Sequence, residues 1–250
     1  ITNVNSVKEL EEFYVLVNKK GKHLTTPELF KAEFSDTLFL ELVEDLVQYQ
    51  PVINLNLFTE ASSKRMSDRD FIEELVAYLM FGIQDKKKII ETIYKNDIDQ
   101  KQRDELTAQF KLVISRIEQL DAHYPIARTR FKQRNDFYTL FNFVHENVNE
   151  PSETINSQYA SLLSIAPYIS PSVEDCPPLR EYAINCVSQS NSKKAREERL
   201  RFLNEVLKNR EVELENNPTL AQIADFVETN QLFTMELASV NGYFLIRPKQ

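Results

Sequence analysis

The chain has 250 residues, a formal net charge of −8 and a hydrophobic fraction of 42%. This is enough for one large domain or two smaller lobes around a real core, and it excludes bulk disorder. Only three glycines occur, far below the usual share of about 7%, and since hairpins and bulges consume glycine the scarcity excludes a sheet-dominated fold.

The acidic balance also excludes a uniformly basic nucleic-acid binder, though not a local basic face. Cys176 and Cys186 are the only cysteines. Two thiols cannot build a disulfide framework or a four-cysteine zinc site, so a reducing, cytoplasmic setting is expected. No apolar run approaches the ~18 residues of a membrane span, so no membrane partner is expected. The sequence begins at Ile1 without an initiator methionine and is amphipathic from the start. An N-terminal portion is therefore expected to be missing from it.

Val7, Leu10, Phe13, Tyr14 and Val17 fall at helical spacing, which predicts an opening helix against a core. Gly21, three residues after Asn18, supplies the positive φ that ends it. The next helix starts at "TTPEL": Thr25 or Thr26 caps it, Pro27 suits the first turn, and Glu28 completes a capping box with Thr25. "DTLFLELVEDLVQYQ" follows, with Pro51 beyond its end. "RMSDRDFIEELVAYLMFG" is expected to begin at an Ser67 cap and stop at Gly82.

Leu106, Phe110, Val113, Ile117 and Leu120 form an apolar seam along residues 99–122. After Pro125, Asn135 is the expected cap of a helix burying Phe137, Tyr138, Phe141 and Val144. Residues 179–190 and 192–209 read as two more helices, the second keeping Leu200, Leu203 and Leu207 on one side. Asn217 caps a helix with Pro218 at its first position, and Asn241-Gly242 between apolar stretches predicts a β-hairpin. The expected fold is all-α: an irregular multi-helix bundle with a small C-terminal hairpin. Two lobes are expected, 1–150 and 151–250, with a weak boundary near 146–156.

No phosphate-binding glycine loop and no H-E-x-x-H occurs, and no metal site is expected. The three histidines are scattered, and the cysteines read as small buried hydrophobes. No catalytic residue stands out. Two basic stretches do: Arg128, Arg130, Lys132 and Arg134, which would share one face if extended, and Lys193, Lys194 and Arg196 with Arg199 and Arg201 at a helix start. Such groups can hold the phosphates of DNA, or else form a solvated, ion-paired helix face. Arg65, Asp68, Arg69 and Asp70 make a third charged knot, read as capping with local ion pairs.

Three phrases in order, "FYVLVNKKGKHLTTPELFKAEF", "SKRMSDRDFIEELVAYLMFG" and "RNDFYTLFNFV", resemble the helical half of the GmrSD-type restriction endonuclease N-terminal family, a ParB/sulfiredoxin-like module with a long helical extension. Its F-x-x-L-N-x-x-G-x-x-L-[ST]-x-x-E-L phrase corresponds to Phe13, Leu16, Asn18, Gly21, Leu24, Thr25, Glu28 and Leu29, with Val17 interposed. Its R-M-x-D-x-E phrase corresponds to Arg65, Met66, Asp68 and Asp70, Asp standing for Glu. "CVSQSNSKKAREERLRFLNEVL" resembles the later part of many members.

The resemblance implies a bacterial phage-defence role in restricting foreign DNA. It also implies a ParB-like domain, preceding the helical part, that handles a nucleotide with magnesium. That domain's Asp-Gly-Gln-Gln-Arg phrase does not occur here, nor does an HNH nuclease, so no cofactor is expected in this segment and no activity of it alone. Asn18 and Gly21 would edge the missing domain's pocket. The alternative is a non-enzymatic helical module that binds another protein.

Overall fold

A computed structural model of the chain describes residues 25–210 and 216–249. The expected opening helix, its stop at Gly21 and the pocket-edge residues Asn18 and Gly21 lie outside the described residues. The first described helix, α1 (Thr26–Glu33), has Thr25 as its cap. Glu28 reaches back to the Thr25 N–H at 2.6 Å, which is the reciprocal half of the predicted capping box.

There follow α2 (Leu38–Val47), the short α3 (Gln50–Asn54) and α4 (Glu60–Lys64), then α5 (Ser67–Phe81), α6 (Lys86–Asn96) and the long α7 (Gln100–His123). Two 3-10 turns, Ile126–Arg128 and Arg130–Lys132, lead into α8 (Arg134–Glu146). After it come α9 (Ser152–Ile165), α10 (Pro177–Val187), α11 (Lys193–Leu207) and α12 (Pro218–Thr229). The chain ends on a two-stranded antiparallel sheet, β1 (Met235–Val240) and β2 (Tyr243–Pro248). The fold is all-α with a small hairpin, and 69% of the described residues are helical.

Side-chain capping explains several of these boundaries. The Asp99 carboxylate accepts from the Gln102 N–H at 2.8 Å to open α7, and the Asn217 side chain accepts from the Leu220 N–H at 2.9 Å to open α12. Gly82 stops α5 at φ 69°, and Asn241 and Gly242, at φ 50° and 83°, make the hairpin turn. Two expected caps are corrected. Ser67 is the first residue of α5 rather than its cap: Met66 takes that place, in a left-handed conformation at φ 55° that an unbranched side chain adopts only at some cost. Asn135 lies inside α8 and donates to the Cys186 carbonyl at 2.7 Å, so Gln133 stands at the cap.

α8 is the central helix. Every position from Asp136 to Val144 is buried, because α8 packs against α5, α7 and α11 on different sides. The α7 seam is buried as the spacing predicts. Apolar side chains from Phe39 to Ile246, on both sides of the 146–156 segment, join one contiguous core. Both cysteines are buried within it. Among the described residues no helix is long and apolar enough to cross a membrane.

Candidate functional site

α5 carries Arg69, Asp70, Glu73 and Glu74, spacings of one and four that put all four side chains on one stripe of the helix. Arg69, Glu73 and Glu74 are buried among Phe71, Ile72, Leu75 and Val76. A charge buried in such surroundings costs several kcal/mol unless it is paired. Each one is.

Glu74 receives Lys86 at 2.8 Å, Arg134 and Arg196. Asp70 receives Lys86 and Arg134, each at 2.5 Å. Lys86 opens α6, Arg134 opens α8, and Arg196 lies in the first turn of α11. The helix dipole disfavours a cation in all three places, so the α5 carboxylates supply what the local backbone does not. Aromatic faces complete the shell: Arg196 lies 4.2 Å over the Tyr138 ring and Arg134 5.0 Å over Phe71. Burial pushes the Asp70 carboxyl upward, but Arg134 and Lys86 outweigh it, and the group ends below its ordinary value.

Beside this cluster, Glu73 accepts from the Tyr94 hydroxyl at 2.6 Å and lies 3.3 Å from Arg69. Arg69 also donates to the Pro27 carbonyl of α1. Phe30 of α1 and Phe34 at its C-cap pack on the Tyr94 ring with centroids 5.1 Å away. Burial raises the Glu73 carboxyl to about 7, against the pull of Tyr94 and Arg69. These groups border an open groove of about 1210 Å³, lined by Phe30, Asp70, Glu73, Lys86, Asn191 and Ser192 among others.

A second buried cluster lies on α8, α10 and α11. Arg130 contacts Asp136 at 3.1 Å and donates to the Ile169 carbonyl at 2.8 Å. Cys186 Sγ sits 3.6 Å from Asp136. Burial and that carboxylate push the thiol up to about 12, which leaves it a poor nucleophile. Arg199 is fully buried and donates to Thr139 Oγ1 at 3.0 Å and to the Asn185 and Ser190 carbonyls at 2.5 and 3.0 Å.

The first basic stretch is not extended. It folds into the two 3-10 turns and the start of α8, so its alternation does not produce one cationic face. Arg130 and Arg134 turn inward to carboxylates, as does Arg196 from the second stretch. The two stretches, whose Arg134 and Arg196 are 62 positions apart in sequence, thus meet at Glu74. Arg128, Lys193 and Lys194 are exposed and Lys132 is half-buried. Lys193 lies 3.7 Å from Glu197.

Sequence reasoning missed Glu73, Glu74 and Lys86 as partners. The available signal was two adjacent acids interrupting "FIEELV", where apolar residues alone would be cheaper. Among the described residues no group of three or more His, Cys, Asp or Glu could hold a metal ion. No family model, curated protein or solved structure matches this chain.

Proposed function

We propose that this chain is the helical scaffold of a GmrSD-like bacterial defence protein, carrying an adjoining ParB-like domain that processes a nucleotide or DNA. One observation supports the scaffold role most directly: the phrases behind the resemblance are tied to one another by their own polar residues. Glu28 of the first phrase lies 3.5 Å from Arg65 of the second. Asp70 of the second pairs with Arg134 of the third, and Glu74 with Arg196 of the last. Side chains spent in this way brace four helices against one another. In this reading the segment supplies rigidity, and the chemistry, with its nucleotide and magnesium, belongs to the adjoining domain.

Contact with DNA phosphates would then rest on Arg128, Lys132, Lys193 and Lys194, because Arg130, Arg134 and Arg196 are committed to internal carboxylates. The test is DNA binding by the chain across a salt series. Affinity should fall steeply with salt and alike for all sequences, and each of Lys132→Gln and Lys194→Gln should reduce the log–log slope by about one. That three of the seven named cations are internal favours the second reading, a protein-binding helical module, and no DNA affinity even at low salt would favour it further. Nucleotide hydrolysis should be measured for the intact gene product and for residues 1–250. Robust turnover by the latter overturns the division of labour.

A further inference from the structure

The C-terminal hairpin presents an open backbone edge. β1 and β2 pair in unbroken register from Met235 opposite Pro248 to Val240 opposite Tyr243. With a two-residue turn, Val240, Ala238 and Glu236 spend their N–H and C=O groups on β2, and those of Met235, Leu237 and Ser239 turn outward. The far edge of β2 is covered: the Phe244 N–H donates to the Asn209 carbonyl at 2.7 Å, and Ile246 is fully buried. Among the described residues no strand but β2 pairs with β1, so its outer edge has no partner strand, and Leu237 is 45% exposed with Ser239 also exposed.

Soluble proteins blunt such an edge with charged side chains, above all lysine, or with proline or a bulge. β1 reads Met-Glu-Leu-Ala-Ser-Val: it has no lysine, proline or bulge, and its one charge, Glu236, is paired with Arg247 of β2 at 2.7 Å. Nor is the hairpin a loose appendage. Asn241 donates to Thr154 Oγ1 of α9 at 2.7 Å, and the Tyr243 hydroxyl donates to Glu150 at 2.9 Å. Tyr243, Leu245 and Ile246 are buried. The edge is therefore held in a fixed orientation, and pairing with it costs little further ordering.

We propose that β1 is a self-association edge: two copies of this chain pair antiparallel through it, making a four-stranded sheet across a two-fold axis. Charge and hydrogen bonding select the register. With Leu237 opposite Leu237 of the partner subunit, Met235 faces Ser239 of the partner subunit and all three outward residues are used. Glu236 then faces Ala238 of the partner subunit. A slip that sets Met235 against Leu237 of the partner subunit brings the two Glu236 carboxylates opposite each other, which is unfavourable even though each is also paired with Arg247 of its own β2. The slip in the other direction leaves Met235 unpaired. The proposal is independent of the defence-protein reading.

Sedimentation equilibrium of the 250-residue chain, from low to high micromolar concentration, tests it. The mass is expected to rise from 29.2 kDa toward twice that value. Leu237→Lys puts a charge on the edge, and Ser239→Pro removes an outward N–H while keeping every hairpin bond. Each should weaken association by about tenfold or more, with far-UV circular dichroism and melting temperature showing that the fold is kept. If Ser239→Pro disturbs the fold, Leu237→Lys decides alone. A monomer at every concentration overturns the proposal, and so does a dimer that survives the substitutions in folded protein.

Discussion

α5 and α7 both run through the interior, yet their inward faces are built on different principles. α7 buries Leu106, Phe110, Val113, Ile114, Ile117 and Leu120 and nothing polar. α5 buries Phe71, Ile72, Leu75 and Val76 together with Arg69, Glu73 and Glu74. An apolar seam is non-directional: any side chains of matching volume satisfy it. A buried carboxylate is satisfied only by cations at one set of places, so α5 specifies which helices surround it and how they are turned. The seam supplies stability, while the charged stripe costs stability to form and constrains the arrangement.

Substitutions on the two helices should separate these roles. The largest effect is expected for Glu74→Ala, which leaves the buried Arg196 without its carboxylate and Lys86 and Arg134 with Asp70 alone. A loss of about 3–5 kcal/mol is the usual cost of breaking a buried pair, read from the midpoint and slope of urea unfolding. A loss below about 1 kcal/mol would show that solvent already reaches these groups.

Next comes a pH effect at Glu73. Its carboxyl is raised from 4.5 to about 7 in the folded chain. A raised acid favours the folded state fully below the unfolded pKa, and that contribution is lost as pH climbs through the folded one. Glu73→Gln does not ionise there. The stability of the variant relative to the parent should therefore rise by up to about 3 kcal/mol between pH 4 and pH 8, the equivalent of the shift. A difference that stays flat across that range would mean that Arg69 keeps Glu73 ionised throughout. Smallest is Ile117→Val on α7, which removes one methylene from a fully buried position. About 1 kcal/mol is expected, with no dependence on pH.

Local signals were legible wherever neighbours in sequence carry the physics. Thr25 with Glu28, Asn217 before Pro218, Gly82 and Asn241-Gly242 each end or open an element through backbone groups within four residues, and all appear where the spacing places them. The α7 seam was legible for the same reason, since its period is the helix's own. The start of α5 was misread. Ser67 has the chemistry of a cap, but the chain instead turns at Met66, and Asp70 is drawn to Lys86 and Arg134 rather than to the helix end. The basic stretches failed similarly. Their composition announces a charged surface, and nothing nearby in sequence tells that Arg134 and Arg196 are aimed at one buried acid.

The sequence by itself determined the fold class, the limits of several helices and the hairpin turn, because propensity, capping and periodicity act over a few residues. Only the tertiary structure decided which charges are interior, since an ion pair between Glu74 and Arg196 spans 122 positions and depends on how α5 and α11 are packed. The same holds for the open edge of β1. Its residues spell a strand, but whether a strand is covered is settled by what lies beside it in space.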